Sequence, residues 1–347
     1  MASMTPPPHA LGAGIAYALA AGLTWGLVFV APVLLPDYPP AMLAFGRYLA
    51  FGLVTLPLAL RDRAALARLS RADWREALAL AAVGNVLYYL CLAASIQSAR
   101  VPLPTMIIGT LPVVIAVCAN LSAREIAWRR LAPSLALVAA GVACVHVAEL
   151  REPASGPGPH GLWTGIALAT AALACWTWYP IRNARWLRRN PHVGPGSWAS
   201  AQGLATLPLA VLGMAATLGW LALAQTASPG LPAGASTAAS TAAGAAAGTA
   251  PFAWPLGPQP ARYVGLMLAI GLLASWLGTL CWNRASQLLP TALAGQLIVF
   301  ETLAALLYGF LHRGAWPDAL TWTGVALLLA GVARGARGFQ AGAPASG

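Results

Sequence analysis

The hydrophobic pattern along this chain consists of long apolar runs separated by short polar linkers. A helix needs about 20 residues to cross about 30 Å of hydrocarbon, and many of the runs reach that length. Because every backbone amide in lipid needs a partner within its own segment, we interpret the runs as helices. The pattern predicts an all-α integral membrane protein with ten transmembrane helices, near residues 11–35, 40–60, 76–98, 103–121, 131–148, 162–182, 197–223, 263–283, 288–311 and 318–334.

The chain also contains an internal repeat. The sequence LVTLPLAL at residues 53–60 agrees with LATLPLAV at residues 204–211 at six of eight positions, at an offset of 151 residues. The same offset aligns GIAYALAAGLTW at residues 14–25 with GIALATAALACW at residues 165–176. Later in each half LVAAGVA matches LLLAGVA at an offset of 190 residues. The sequence therefore predicts two copies of a five-helix unit.

The change of offset locates an insertion and the boundaries of the two copies. Because the offset grows from 151 to 190, 39 residues are inserted in the second copy. Residues 226–262 are rich in proline and small residues, which predicts a flexible loop. We assign the first repeat to residues 11–148, a linker to residues 149–161, and the second repeat to residues 162–335. An odd number of helices per copy predicts inverted repeats, which are typical of secondary transporters.

The composition and charge of the chain agree with a membrane location. Hydrophobic residues make up 59% of the chain and charged residues only 8%. The formal net charge of +11 comes from arginines concentrated in the linkers after predicted helices 2, 4, 6 and 10, so it does not indicate nucleic-acid binding. By the positive-inside rule both termini are expected in the cytoplasm. The 149–161 linker and the 226–262 insertion are then expected on the periplasmic side.

The sequence contains no pattern that predicts a cofactor or a metal site. There is no C-x-x-C pair, clustered histidine, nucleotide-binding loop or nucleophile–base set. A primary pump is therefore not expected from this chain. Cysteine is a small apolar packing residue in such a setting, and all the cysteines lie in apolar runs: Cys91, Cys118, Cys144, Cys175 and Cys281.

Several motifs, taken in order, resemble the EamA type of the drug/metabolite transporter superfamily. They are a tryptophan in the first helix of each copy (LTWG and ACWTW), FGRYLAFG in helix 2, LPVVIAV with Glu125 closing helix 4, and GVALLLAGV in helix 10. The resemblance covers nearly the whole chain except the 226–262 insertion. It implies a carrier of the bacterial inner membrane, often an exporter of amino acids or other small metabolites. Ala315 stands where the second copy would match Glu125, so no role is assigned to a second acid.

Two charged residues lie at hydrocarbon depth, namely Arg47 in helix 2 and Glu301 in helix 9. Charge at such depth is costly and normally faces the interior of the bundle with a partner or a function. Helix lengths place the two residues at similar depths, so they are expected to be able to form an ion pair. Glu301 is then a candidate for coupling to protons or for contacting substrate. A purely structural pair, or an Arg47 side chain that extends to the lipid headgroups, remains an alternative.

Further polar and aromatic residues are candidates for the substrate pathway. Pro112 in helix 4 frees a backbone carbonyl and permits a kink, and at the offset of 190 it matches the neighbour of Glu301. Trp25 and Trp176 occupy matched places in helices 1 and 6, where they can wall a substrate site or pack against neighbouring helices. The remaining candidates, for which interhelical hydrogen bonding is the alternative role, are Asn85, Tyr88 and Gln296.

The sequence is thus interpreted as a secondary, alternating-access transporter of a small metabolite, more readily an exporter than an importer. The partners expected are a small-molecule substrate, a proton as coupling ion and membrane lipid, for a monomer or a homodimer. Two alternatives stay open: a lipid flippase with the same fold, and a membrane-embedded enzyme acting on a lipid-linked substrate. The enzyme would need at least two convergent catalytic groups, whereas the sequence provides Glu301 alone.

Overall fold

The computed structural model describes residues 8–35, 37–99, 107–123, 127–150, 159–227, 253–314 and 316–340, and regular structure in these ranges is entirely helical. Nine helices in the described ranges are long and apolar enough to cross a membrane, and a shorter apolar helix lies between the third and fourth of them. In chain order these are α1 Leu11–Phe29, α2 Pro40–Arg61, α3 Arg71–Ser95, α4 Leu111–Leu121, α5 Trp128–Val145, α6 Gly161–Arg189, α7 Pro195–Leu223, α8 Pro260–Leu288, α9 Thr291–His312 and α10 Ala319–Arg337.

Nine of the ten predicted spans therefore correspond to helices of spanning length. The remaining predicted span, residues 103–121, corresponds to the short helix α4. Residues 101–106 lie outside the described residues, so only the later part of that span is described. The apolar pattern thus located the helices well, because a run of about 20 apolar residues has few alternatives to a helix in lipid.

Two helices contain a wider, π-helical turn at matched positions. The turn covers Ala81–Leu87 in α3 and Gly271–Leu277 in α8, which are separated by the same offset of 190 residues that relates the later parts of the two halves. π-helical turns are rare and leave backbone groups out of the regular ladder, so they often occur where a helix meets a functional site. The polar residues within these turns are Asn85 and Ser275.

Helices α4 and α9 are interrupted as well. A helical turn at residues 107–109 precedes α4, and the two are separated at Thr110, next to Pro112. Helix α9 consists of Thr291–Leu297 and Val299–Arg313, which meet at Ile298. Each break frees backbone groups inside the bundle and starts a new helical segment there.

The contacts between helices follow a regular scheme across the two halves. Helix α2 packs on α7, and α5 packs on α10. Helix α1 packs on α8 and α9, and in the same way α6 packs on α3 and α4. Exchanging α1–α5 with α6–α10 therefore leaves this set of pairings unchanged. The two halves meet along one extensive, mainly apolar core that includes residues from both.

The outer surface of the bundle is apolar. Leu60, Leu212 and Leu311 are each about 70% exposed, at 72%, 69% and 70% respectively. Exposed leucine on several helices is costly in water but costs little against lipid chains. This distribution agrees with the sequence prediction of an integral membrane protein.

Part of the predicted 226–262 insertion is described. The hydroxyl of Tyr38 donates to the carbonyl oxygen of Leu256 (2.8 Å) and accepts from the backbone N–H of Gln259 (3.0 Å). Helix α8 begins immediately afterwards, at Pro260. The end of the insertion is thus attached to the segment before α2. Residues 228–252 of the insertion and 151–158 of the linker lie outside the described residues, so their predicted character stays a prediction.

Candidate functional site

Arg47 lies in the middle of α2 and is buried, with 8% of its surface exposed. Its Nε donates a hydrogen bond of 2.9 Å to the hydroxyl of Ser275, in the π-helical turn of α8. Its guanidinium carbon lies 5.0 Å from the ring centre of Tyr48 and 5.5 Å from that of Tyr89, within the range of cation–π attraction. The guanidinium therefore points into the bundle, which disfavours the alternative that it extends to the lipid headgroups.

Glu301 lies where the second segment of α9 begins. It is the third residue of the helix Val299–Arg313 and is 8% exposed. The N-terminus of a helix presents free N–H groups and favours a nearby negative charge. Helix α1 approaches closely at this point, because a Cβ on Gly22 would lie 3.0 Å from the backbone nitrogen of Glu301. The break at Ile298 and the glycine in α1 together position this carboxyl group inside the bundle.

Arg47 and Glu301 come close enough for their charges to interact. The side chain of Trp176 on α6 lies beside the carboxyl group of Glu301. Among the described residues, Oε2 of Glu301 and Nε1 of Trp176 are buried without a hydrogen bond of normal geometry. Leaving a buried polar atom unpaired costs about 1–3 kcal/mol. A proton or a polar ligand that reached these atoms would therefore be stabilised.

Aromatic rings from both halves pack around Trp176, which lies beside this carboxyl group. The ring of Trp176 stacks on Tyr88, with centroids 4.6 Å apart, and on Tyr179, at 5.1 Å. The ring of Trp25 meets Trp176 edge-on at 5.3 Å and lies 5.3 Å from Trp282. The structure thus brings together five of the residues predicted for the substrate pathway, which we call the central cluster: Trp25, Arg47, Tyr88, Trp176 and Glu301.

Asn85 lies at the edge of the central cluster. Its amide donates to the hydroxyl of Thr206 on α7 (3.2 Å), and its backbone carbonyl accepts from the hydroxyl of Tyr48 (3.0 Å). The side chain thus bonds to a neighbouring helix, which is the alternative role considered for it. At the offset of 190, Asn85 corresponds to Ser275, whose hydroxyl accepts from Arg47. In each π-helical turn, therefore, the polar residue is hydrogen-bonded to a helix of the other half.

Gln296 and Pro112 are placed elsewhere. Gln296 is fully buried and accepts a hydrogen bond from the hydroxyl of Ser134 on α5 (3.1 Å). It belongs to the contact of α9 with α5 rather than to the central cluster. Pro112 is buried in the first turn of α4, just after the interruption at Thr110. It lies near the start of the described helix rather than halfway along it, and its helix packs on the first segment of α9.

Four residues that adjoin the central cluster were not predicted from the sequence, namely Tyr48, Tyr179, Ser275 and Trp282. For two of them, the position in the sequence could have indicated a place beside a predicted site residue. Tyr48 follows Arg47 directly, and Tyr179 lies one helical turn after Trp176, on the same face of α6. The sequence contains no such indication for Ser275 and Trp282, because only the packing of α8 against α1 and α2 shows that they point inward.

The central cluster combines side chains of the kinds that small-molecule sites use. It provides a carboxyl group, a guanidinium and several aromatic faces within a mainly apolar surrounding, as small-molecule sites commonly do. No group of three or more histidine, cysteine, aspartate or glutamate side chains that could hold a metal ion occurs in the described part of the chain. The carboxyl group of Glu301 can exchange a proton and attract a cationic group, whereas the guanidinium of Arg47 stays protonated and can attract an anionic group.

Comparison with known proteins gives three findings. The EamA-like transporter family matches residues 12–147. The inner membrane protein YtfF of Escherichia coli (strain K12) is 47% identical over 331 residues, which cover 92% of this chain and 93% of that protein. A protein of known crystal structure superposes with a TM-score of 0.62 at 18% identity, over 93% of this chain and 96% of the other. At that identity the crystal structure supports the fold alone.

Proposed function

Because this chain belongs to the EamA-like transporter family, we propose that it is a secondary transporter that moves a small metabolite by alternating access. The family and the apolar helices establish a multi-pass protein of the inner membrane that acts as a membrane transporter. The proposal goes further in four respects: an inverted pair of five-helix repeats, an amino acid or related amphiphilic compound as cargo, export as the direction, and a proton as the coupling ion.

Three observations support the inverted repeat. The helix pairings are unchanged when the two halves are exchanged. The π-helical turns lie at Ala81–Leu87 and Gly271–Leu277, at the repeat offset. The polar residues of those turns, Asn85 and Ser275, also correspond and bond to α7 and α2 respectively. Since each repeat contains an odd number of helices, a twofold relation between them requires an axis in the membrane plane.

The single observation that most supports transport is the composition of the central cluster. Arg47 and Tyr88 come from the first half, and Trp176 and Glu301 come from the second. Substrate sites of inverted-repeat transporters lie between the repeats near the middle of the membrane. A rocking movement of one half against the other would change every contact in such a cluster at once. Residues confined to one half would not respond in this way.

We assign different roles to the charged members of the cluster. Glu301 is proposed to take up and release the coupling proton, because its carboxyl group is buried with an unpaired oxygen. Arg47 is proposed to attract an anionic group of the cargo. Its guanidinium influences Glu301 through its charge, and the hydrogen bond to Ser275 uses only Nε, so further N–H donors stay available. The faces of Trp25, Tyr88 and Trp176 are proposed to contact the apolar part of the cargo.

The positive-inside rule supports an orientation with both termini in the cytoplasm. The exposed arginines near the end of α2 and the start of α3 then lie on the cytoplasmic side: Arg61, Arg63, Arg68, Arg71 and Arg75. Export would begin from that side. The arrangement of the central cluster within one chain is compatible with either a monomer or a homodimer.

The proposal is tested with the purified chain in liposomes. Growth tolerance of cells that overproduce the protein, measured across toxic amino-acid analogues and cationic drugs, first selects a cargo class. Counterflow of the labelled cargo is then measured with and without an imposed pH gradient. We expect saturable exchange that the gradient accelerates.

A pair of variants assigns the coupling role. Glu301→Gln keeps the size of the side chain and removes its proton exchange, so the response to the gradient should fall by at least about tenfold while counterflow persists. Asp37→Asn makes the same chemical change at an exposed turn before α2 and serves as the matched control. Full gradient-driven transport by Glu301→Gln would remove this residue from the coupling mechanism.

A further inference from the structure

Four arginines converge at one end of the helix pair α5 and α10, away from the central cluster. Arg129 and Arg130 lie in the first turn of the helix Trp128–Leu150, and Arg334 and Arg337 lie near the end of the helix Ala319–Gln340. All four line one open groove of about 690 Å³ together with Leu137, Ala330 and Ala333. This volume is within the range of small-molecule sites. We call this feature the arginine groove.

The packing of α5 on α10 explains why the arginines meet. The helices run antiparallel, so the start of one lies beside the end of the other. They approach closely, since a Cβ on Gly141 would lie 2.8 Å from the carbonyl oxygen of Gly324. Small residues at such a contact allow tight packing of membrane helices. The backbone beneath the arginine groove is therefore held firmly.

The arginine groove has no compensating carboxylate in the part of the chain that the structure describes. Among those residues, no acidic side chain lines the groove and none pairs with any of its four arginines. Close guanidinium groups repel one another, so an anion between them would be stabilised. Guanidinium groups bind the oxygens of phosphate in a bidentate way, which favours a phosphate group over a simple halide.

The apolar floor of the arginine groove indicates which kind of molecule carries the phosphate group. Leu137 lies two helical turns beyond Arg130, and Ala330 lies two turns before Arg337, so the apolar lining extends about 10 Å from the charged rim. That lining leads from the polar end of the helices towards their membrane-spanning part. An anionic lipid combines a phosphate head with apolar chains in the same order.

We propose that the arginine groove binds the phosphate headgroup of an anionic phospholipid, with the first part of an acyl chain along Leu137, Ala330 and Ala333. The site is separate from the central cluster and does not depend on the transport mechanism. It differs from a general excess of positive charge on one side of the membrane, because four guanidinium groups and an apolar floor share one groove. The exposed arginines between α2 and α3 provide the comparison.

The experiment measures lipid binding to the full chain by native mass spectrometry from detergent. Phosphatidylglycerol is titrated against phosphatidylcholine for the wild type, for the fourfold variant Arg129→Gln/Arg130→Gln/Arg334→Gln/Arg337→Gln, and for a control. The control Arg61→Gln/Arg63→Gln/Arg68→Gln/Arg75→Gln changes the net charge equally. We expect the first variant to weaken phosphatidylglycerol binding by at least about tenfold, and the control by less than about twofold.

Three results would overturn the proposal. Equal losses in the two fourfold variants would show a diffuse charge effect. Displacement of phosphatidylglycerol from the wild type by millimolar inorganic phosphate would assign the groove to soluble phosphate instead of lipid. If the fourfold variant fails to insert, Arg334→Gln/Arg337→Gln is used, with Arg68→Gln/Arg75→Gln as its control. We expect about threefold weaker binding for this pair, and unchanged binding would also reject the site.

Discussion

The two halves of this protein share a scaffold but differ in the chemistry at equivalent positions. At the offset of 151, Arg47 of the first half corresponds to Trp198, which donates to Asn183 and stacks on Trp186. At the offset of 190, Glu301 of the second half corresponds to Leu111. Each half therefore contributes one of the two charges of the central cluster, and neither charge is duplicated.

The aromatic residues show the same asymmetry. Trp176 of α6 stacks on Tyr88 of α3. The position equivalent to Tyr88 is Gly278 of α8, and there the indole of Trp25 fills the space, since a Cβ on Gly278 would lie 2.7 Å from its Nε1. Symmetric helix packing is what a rocking movement needs, whereas an asymmetric lining lets the site distinguish the ends of a cargo. For the proposed mechanism this means that the parts shared by the two halves would provide the movement and the parts that differ would provide the specificity.

Removing the charge of the first half should have the largest effect. Arg47→Gln removes the hydrogen bond that Nε donates to Ser275 and the positive charge nearest to Glu301, and a buried hydrogen bond to a charged group contributes about 1.5–3 kcal/mol. We expect the free energy of unfolding, measured by chemical denaturation in detergent, to fall by about that amount. The double variant Arg47→Gln/Glu301→Gln removes both charges and should recover the part of the loss that comes from the isolated carboxyl group. Additive losses would show that the two charges are not coupled.

A change in the contact of α1 with α9 should have the next largest effect. In Gly22→Ala the new Cβ would lie 2.8 Å from the Cβ of Phe300, so α1 or α9 must shift beside Glu301. Overpacking of this kind costs about 1–3 kcal/mol. Gly12→Ala on the same helix is the control, because its Cβ meets nothing within 4 Å. Equal stability and equal transport rates for the two variants would show that this contact does not position Glu301.

Removing the aromatic ring that α3 contributes to the central cluster should have a smaller effect. Tyr88→Leu removes the ring stacked on Trp176, and such aromatic pairs contribute about 0.5–1.5 kcal/mol beyond their buried area. If this ring contacts cargo, the KM for transport should rise by about fivefold with little change in the amount of folded protein. Phe51→Leu makes the same kind of change in a buried ring of α2, next to Gly271. An equal rise in KM for Phe51→Leu would argue against a specific role for Tyr88.

The exposed link between the halves should matter least for stability. Arg182 of α6 donates from Nε and Nη2 to the carboxylate of Glu76 on α3, at 2.6 and 2.7 Å. The Arg182 side chain is 45% exposed and that of Glu76 is 15% exposed, so solvent screens the pair, and ion pairs near the surface contribute about 0–1 kcal/mol. Glu76→Gln is therefore expected to change the free energy of unfolding by less than about 1 kcal/mol, and less still at high salt. A loss as large as that of Arg47→Gln would show that this contact closes the bundle.

Much of the architecture was predictable because lipid leaves few choices. Apolar runs of sufficient length must be helices, and the repeat offsets locate matched positions in the two halves. Charges at hydrocarbon depth are rare enough to identify Arg47 and Glu301 directly. The family resemblance stated from the motifs is confirmed by the matches to the EamA-like family and to YtfF.

Other features needed the three-dimensional packing. The π-helical turns leave no mark on an apolar pattern, so the inward position of Ser275 was not evident, although Asn85 was predicted as a polar candidate. Gln296 and Glu301 lie on one predicted helix, yet five residues at 100° per residue place them on different faces, and the break at Ile298 separates them further. Trp282 joins the cluster only because α8 packs on α1. Interhelical distances of this kind cannot be read from one chain.

If the two halves span the membrane in opposite orientations, equivalent positions lie on opposite sides, and one labelling measurement tests this most directly. Ala72 at the start of α3 and Arg262 at the start of α8 are equivalent at the offset of 190, and both are exposed. Single cysteines at these positions, in a chain whose five native cysteines are replaced, are treated with a membrane-impermeant maleimide in intact spheroplasts. We predict immediate labelling at position 262 and labelling at position 72 only after permeabilisation. Labelling of both positions from the same side would contradict the account.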